Sequence, residues 1–445
     1  MNELLFGRQL TKTQLPPEID LTDSRIVSRP AMSINHSDIR CERCHQHFNK
    51  QQVALPAGGY YCPACLALGR ITSTCPLLTI NEPNAFAPQE PVMTWTGTLT
   101  RLQAQCATDI CRVFKQRQRH LLWAVTGAGK TEMLFLGLAD ALKRGDRIAV
   151  ASPRVDVCIE LFPRFQAAFA HTPMVLLHGQ QTEPYQYCQF TVCTTHQLLR
   201  FYHAFDVLVV DEVDAFPFAQ NKQLAVAVEQ AMKVHGACLY LTATPSTELM
   251  HLVNQHQLSM SYLPLRFHGH LLPEIHCRRT WHWREGLRHQ QLPVSLQLAI
   301  QTRLNRHQRF LLFVPHVAQL PAVATAVRRF APKAVFEMVH AADEDRVKKV
   351  AKMRAQTLDL LITTTILERG VTFPDIDVLV LGADDPVFST AALVQIAGRA
   401  GRSAMAPNGQ VIYWIEQTTL VLQRAIKQIQ LVNRKGRRLP EWLPV

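Results

Sequence analysis

The segment Ala124-Val-Thr-Gly-Ala-Gly-Lys-Thr131 restricts what this chain can become more than any other. It follows an apolar run, Leu121-Leu-Trp-Ala-Val125, and leads into Glu132-Met-Leu-Phe-Leu-Gly-Leu-Ala139, whose apolar positions suit a buried helix. Strand, glycine-containing loop and helix in that order make a phosphate cradle. Gly127 and Gly129 let successive N–H groups converge, and the helix start adds its positive dipole end. Thr126, Gly127, Ala128, Gly129, Lys130, Thr131 and Glu132 are therefore the expected nucleotide-binding residues. Lys130 is placed for the β and γ phosphates and Thr131 for Mg²⁺. The strict pattern opens on glycine; here Ala124 holds that position and still follows the strand compactly.

A second apolar run, Val207-Leu-Val-Val210, ends in Asp211-Glu-Val-Asp214. The carboxyl edge of a parallel strand is where ligands of such sheets bind, and paired acids there rarely serve packing. Asp211 is expected to hold Mg²⁺ through its carboxylate. Glu212, one residue on, is expected to orient and polarise an attacking water.

Two CxxC pairs, Cys41-Glu-Arg-Cys44 and Cys62-Pro-Ala-Cys65, stand 17 residues apart near the N-terminus. Thiolates so spaced close a tetrahedron around Zn²⁺, and Gly58-Gly59 beside Tyr60-Tyr61 reads as a hairpin tip and strand of a ribbon or treble-clef module. Two disulfides are the alternative, and they require an oxidising compartment. His45, His47 and Cys75 lie close enough in sequence to replace one thiol. The other eight of the 12 cysteines, Cys106, Cys111 and Cys238 among them, fall in or near apolar segments and read as small core residues.

A net charge of +12 over 445 residues favours a polyanionic partner, nucleic acid or an anionic membrane surface. Basic clusters at 112–119, 303–309, 346–354 and 434–438 are candidates for a strand path, although most charge runs are solvated faces. No stretch of about 18 uninterrupted apolar residues occurs, and no signal-type core follows a basic start. A soluble, cytoplasmic chain is the expectation. Residues 1–40 are polar and proline-containing and read as a loosely packed arm. A zinc module follows at 41–80, with Asn81-Glu-Pro-Asn-Ala-Phe-Ala-Pro88 as linker. Apolar strands alternating with helical segments then predict an α/β motor domain with a parallel sheet over 81–267 and a second over 268–445.

Further blocks fall in one order: Ala151-Ser-Pro-Arg-Val155, Thr194-Thr-His196, Leu241-Thr-Ala-Thr244, Phe310-Leu-Leu-Phe-Val-Pro315, Ile362-Thr-Thr-Thr-Ile-Leu-Glu-Arg-Gly-Val371 and Gln395-Ile-Ala-Gly-Arg-Ala-Gly-Arg402. With the phosphate loop and the paired acids, they resemble the blocks of superfamily 2 helicases and translocases between Gln105 and Arg402. The resemblance implies two tandem RecA-like domains that use ATP and Mg²⁺. It implies that Arg399 and Arg402, three apart on one helix face, act as arginine fingers on the γ phosphate. Such groups are worth about 10³ to 10⁵ in rate in related systems. It also implies that Gln105 recognises adenine, and that Arg154, Thr195, His196 and Thr364 contact a nucleic-acid backbone, positioning a strand without reading its sequence. Thr372 departs from the DEAD-box pattern, which has aspartate there.

The four-cysteine module ahead of Trp123-Ala-Val-Thr-Gly-Ala-Gly-Lys-Thr-Glu-Met133, Asp211-Glu-Val-Asp214 and Thr364-Thr-Ile-Leu-Glu-Arg-Gly-Val371 narrows this further. The combination looks like the late-competence DNA-uptake ATPases, the ComFA family of Gram-positive bacteria, over residues 38–430. That likeness implies a single-stranded DNA translocase at the inner face of the cytoplasmic membrane. Its implied partners are a ComFC-like competence protein, a recombination mediator and the membrane uptake channel, and an oligomer is compatible with it. Primosomal replication-restart helicases are similar around the phosphate loop, but their cysteines are inserted within the second motor domain. The reading from another class is a zinc-dependent nucleic-acid-binding scaffold with a decayed motor.

Overall fold

The computed structural model describes residues 2–179, 181, 184–403 and 407–443. Its contacts divide the chain into two units, Met1–Trp123 with Lys130–Tyr262, and Ala124–Gly129 with Leu263–Val445. The division falls between Tyr262 and Leu263, a few residues before the boundary read from composition.

The first unit opens with β1 (Val27–Arg29), β2 (Met32–Ile34), β3 (Asp38–Cys41), β4 (His47–Asn49) and β5 (Leu77–Thr79). β2, β3 and β4 form an antiparallel sheet, and β1 pairs antiparallel with β5. Then helix and strand alternate: α1 (Arg101–Lys115), β6 (Arg119–Ala124), α2 (Lys130–Lys143), β7 (Ile148–Ser152), α3 (Val155–Ala168), β8 (Met174–Leu177), β9 (Phe190–Thr194), β10 (Phe205–Val210), α4 (Lys222–Ala231), β11 (Met232–Thr242), α5 (Thr247–Asn254) and β12 (Ser259–Leu263). The strands lie in the order β12-β6-β11-β10-β7-β9-β8, with parallel pairing from β6 through β8. A capping box starts α1, where Thr100 N–H donates to Gln103 Oε1 at 2.9 Å. Asn221 caps α4 by accepting from the N–H groups of Gln223 and Leu224. β7, β9 and most of β10 are buried on both faces, as a sheet covered by crossover helices requires.

The second unit continues with β13 (Ile275–Arg279), α6 (Trp283–Arg288), α7 (Val294–Asn305), β14 (Arg309–Phe313), α8 (Leu320–Phe330), β15 (Phe336–Val339), α9 (Arg346–Arg354), β16 (Leu360–Thr363), β17 (Ile376–Leu381), α10 (Thr390–Ala397), β18 (Val411–Ile415) and α11 (Leu420–Gly436). Its six strands run β13-β18-β17-β14-β16-β15, every pairing parallel. The expected pair of parallel-sheet domains behind a four-cysteine module is thus what the chain forms.

Residues 1–40 differ from the expected loose arm. Leu5, Phe6, Leu10 and Ile19 are buried in one cluster with Leu78 and Ile80. Gln9 is fully buried, its amide donating to Leu199 O at 3.1 Å and Phe201 O at 3.2 Å. These partners lie far along the chain and leave no period in the segment itself. The linker is packed as well. Glu82 forms an ion pair with Arg147, both side chains sealed from solvent, and Asn84 donates to Asp206 at 2.8 Å. Arg147 also donates to Phe6 O at 3.0 Å and to Tyr185 Oη at 2.5 Å. Removing one member of such a pair strands a charge in the interior. Glu82→Ala is therefore expected to lower unfolding free energy by about 3–5 kcal/mol, read by urea titration.

His120 is buried on β6, with Nδ1 2.8 Å from Ser259 Oγ and Nε2 3.0 Å from Ser261 Oγ. Burial pushes its pKa down to about 4. A histidine held neutral in the fold is protonated first when unfolded. Stability is expected to fall as pH drops from about 6.5 toward 4, by at most about 1.4 kcal/mol per unit from this residue. A His120→Gln chain showing the same slope over that window would contradict the assignment.

Candidate nucleotide site and cysteine cluster

β6 runs into the loop Ala124–Gly129, and α2 starts at Lys130. Gly127 and Gly129 take φ of 79° and 74°, a region that L side chains rarely enter. The loop is fixed by its own turn, Ala128 N–H to Val125 O at 3.1 Å, and by Val125 N–H to Leu263 O at 3.1 Å. Thr126 is buried, and its hydroxyl has no hydrogen-bond partner among the described residues. A backbone cradle with an unsatisfied buried hydroxyl at its centre fits a bound triphosphate. Thr131 is buried in the first turn of α2, and Glu132 bonds Arg164 on α3.

At the end of β10, Asp211 is almost fully buried. Desolvation raises its carboxyl to about 6, against the pull of Lys130 and with the push of Glu212. Lys130 and Asp211 thus share one electrostatic environment, as residues serving one phosphate–Mg²⁺ group must, and a cation there favours the ionised carboxylate. Glu212 carries φ of 53°, and its N–H donates to Asp211 Oδ1 at 2.9 Å. A non-glycine residue in that region costs about 1–3 kcal/mol and persists only where its surroundings dictate it. Asp214 accepts from Thr242 Oγ1 at 2.6 Å and from Thr244 Oγ1, which ties the acidic turn to the end of β11.

In the second unit, Arg399 is buried just past α10 and donates from Nε to Glu368 O at 3.0 Å. Arg402 donates from Nε to Gly398 O at 3.2 Å and from Nη1 to Thr372 Oγ1 at 3.1 Å. Thr372, where the DEAD-box pattern has aspartate, thus holds Arg402. Gln395 on α10 is buried, and its amide nitrogen lacks a partner among the described residues.

The other expected contacts are less uniform. Gln105 is exposed on α1, whereas neighbouring Gln103 is buried in the capping box. Arg154 is half-buried at the start of α3. His196 is half-buried on the short helix Thr195–Arg200, its imidazole pKa lowered by burial. Thr195 and Thr364 are buried, so Arg154 and His196 are the members of the set whose side chains reach solvent. Of the basic clusters, Arg303 is buried and paired with Asp377 at 2.8 Å, so it lines no surface.

The four cysteines converge. Cys41 ends β3, Cys44 follows in the turn, and Cys62 and Cys65 bracket the start of the short helix Pro63–Leu68. All four are buried, their sulfurs within 4.8 Å of one another. Cys41 and Cys65 are 3.9 Å apart, Cys44 and Cys62 3.6 Å. A tetrahedron of Zn–S bonds of about 2.3 Å places sulfurs about 3.8 Å apart. The donor set fits zinc and not a pair of disulfides. His45 bonds Gln230 and His47 bonds Asp38, so neither joins the cluster. The expected hairpin is present, with Leu55 N–H donating to Gly59 O at 2.9 Å. Arg43, between the first two cysteines, was not singled out from sequence. It is fully buried and donates to Cys65 Sγ at 3.4 Å and Gly69 O at 2.7 Å. Hydrogen bonds from the other thiols, Cys41 foremost, and the charge of Arg43 hold the Cys65 thiol below its usual range. An arginine inside a CxxC knuckle is the sequence signal for such charge compensation.

Residues 100–252 match the DEAD/DEAH box helicase domain, and 292–404 match the helicase conserved C-terminal domain. The fold is similar to that of the helicase Lhr of Mycobacterium smegmatis bound to ssDNA and AMP-PNP, at TM-score 0.55 and 16% identity over 76% of this chain and 50% of that one. The two units are therefore RecA-like domains of a DEAD/DEAH-type helicase, a class that uses ATP and Mg²⁺. Residues 1–79 match the competence protein ComFA N-terminal domain. The chain is 36% identical to competence protein ComFA of Bacillus subtilis over 97% of its own length and 95% of the relative's. It is likewise 36% identical to ComFA of Streptococcus pneumoniae, over 97% and 98%. The chain belongs to the ComFA competence protein family.

Because the cysteines share one buried cluster with Ala149, Leu208 and Val210 of the motor sheet, losing the metal should be felt beyond the module. Cys62→Ser is expected to abolish bound zinc, measured by elemental analysis, and to lower the melting temperature. Wild-type protein purified without zinc and melting no lower would refute the metal assignment.

Proposed function

We propose that this chain is an ATP-dependent single-stranded DNA translocase that drives import of transforming DNA during natural competence. The reading is carried by end-to-end similarity to competence proteins in a chain that keeps Lys130, Asp211, Glu212, Arg399 and Arg402. A scaffold with a decayed motor has no need of that set.

In this reading Lys130 neutralises the β and γ phosphates, and Thr131 and Asp211 would hold Mg²⁺. The metal, when bound, supplies charge neutralisation at the phosphates. Glu212 orients a water and accepts its proton at the carboxylate. Arg399 and Arg402 stabilise charge on the γ phosphoryl group as it transfers, and Gln105 contacts adenine. Arg154, Thr195, His196 and Thr364 follow the sugar-phosphate backbone of the strand, so affinity is set by phosphate contacts and not by base identity. Among the described residues no helix is long and apolar enough to cross a membrane. Placement at the inner face of the cytoplasmic membrane would then come through partners: a ComFC-like protein, a recombination mediator and the uptake channel, with the motor itself free to oligomerise.

ATP turnover measured with single-stranded DNA, duplex DNA and RNA tests the reading. Stimulation is expected to be largest with single-stranded DNA; equal turnover with none of them present would sink it. Lys130→Ala is expected to abolish turnover. Glu212→Gln is expected to retain bound ATP and DNA while losing hydrolysis by about 10²-fold or more. DNA affinity should fall steeply with salt as counterions are released.

A further inference from the structure

Arg266, in the segment that follows β12, is buried, yet no carboxylate pairs with it among the described residues. Its Nη1 donates to Gly401 O and its Nη2 to Gly398 O at 3.2 Å, while Nε has no hydrogen-bond partner. Those two carbonyls bracket Arg399. Gly398 O also accepts from Arg402 Nε at 3.2 Å, so one carbonyl is shared by the two guanidinium groups. The same residue lies on the phosphate loop, which belongs to this unit by its contacts. A methyl group added at Gly127 would sit 3.6 Å from Arg266 Cγ, and Phe267 N–H donates to Gly127 O at 2.9 Å. A methyl group added at Gly398 would lie 2.0 Å from Thr126 Oγ1, so the loop and the arginine-bearing turn meet with no room for a side chain.

We infer that Arg266 is a positioning residue for nucleotide hydrolysis, gripping the Gly398–Arg402 turn with its guanidinium fork and setting it against the phosphate loop. The inference rests on the proposed ATP site and names a residue that reading does not contain. Burying an unpaired guanidinium is costly, and an apolar side chain would fill the space more cheaply. The cost is intelligible if a phosphate anion supplies the missing negative charge. Burial and the like charge of Arg402 already depress the pKa of Arg266 to about 9. Arginine is required because two carbonyls three residues apart need a rigid fork, whereas lysine offers a single point of charge.

The test uses the full chain with ATP, Mg²⁺ and single-stranded DNA. Arg266→Lys is expected to lower kcat by about tenfold or more while KM for ATP stays within about threefold, the mark of lost positioning and not of lost binding. Because Arg266 acts through the turn holding Arg402, Arg266→Lys combined with Arg402→Ala should be little slower than Arg402→Ala alone. A kcat for Arg266→Lys near wild type, or losses that multiply in the double variant, overturns the inference. Failure of the underlying ATP site would show instead as full hydrolysis by Lys130→Ala. If Arg266→Lys does not fold, Arg266→Gln is judged by kcat alone, which should again fall about tenfold or more and fall little further when Arg402→Ala is added. If neither folds, Arg266 serves folding and the inference falls.

Discussion

A guanidinium sealed inside a protein dictates its surroundings, and Arg147 at the foot of β7 does so for the whole first unit. Its charge is met by Glu82, and its remaining donors go to Phe6 O, Tyr185 Oη and Cys188 O. Its backbone N–H donates to Asp206 at 3.0 Å, next to the start of β10. One side chain thereby joins the N-terminal segment, the linker and the central strands of the motor sheet. None of these partners can leave without exposing or stranding a charge, so the chain is tied to the motor sheet both before the four-cysteine module, at Phe6, and after it, at Glu82. The hydrophobic cluster that contains all four cysteines also contains Leu208 and Val210, three residues and one residue before Asp211.

The acidic turn shows the same economy at smaller scale. Glu212 occupies a backbone region that ordinary residues avoid, and what holds it there is local: the Asp211 carboxylate accepts its N–H, Val213 N–H donates to Leu241 O, and Asp214 is gripped by two threonines. The block Leu241-Thr-Ala-Thr244 therefore has a mechanical meaning beyond its membership of a pattern. Its hydroxyls hold the third acid so that the first two stay fixed at the strand end.

What could be read from the sequence divides along physical lines. The phosphate loop and the cysteine pairs were legible because their chemistry demands particular residue types at short, fixed spacing. The parallel sheets were legible because buried strands are continuous apolar runs. The N-terminal segment was not, since Gln9 finds its partners at Leu199 and Phe201, and nothing within residues 1–40 signals them. Arg43, Arg147 and Arg266 were not legible as buried groups either. A basic residue among polar neighbours reads as surface until the fold shows what surrounds it. Gln103 and Gln105 make the same point: two residues apart, one is a buried cap and the other is exposed, and only helix phase separates them.

The attachment of the cysteine module says where its influence goes. Gln230 on α4 donates to Glu42 O at 3.0 Å and bonds His45 at 2.8 Å, and Gln223 on the same helix donates to Ala64 O at 3.3 Å. Both knuckles are thus fastened to one helix. That helix follows the acidic turn in sequence and packs against the short helix bearing Thr195 and His196. The described contacts of the phosphate loop involve none of the module's residues. A metal at the four cysteines is therefore positioned to order α4 and its neighbours rather than to take part in phosphate chemistry. Its contribution belongs to the shape of the first unit and to the short helix Thr195–Arg200 against which α4 packs.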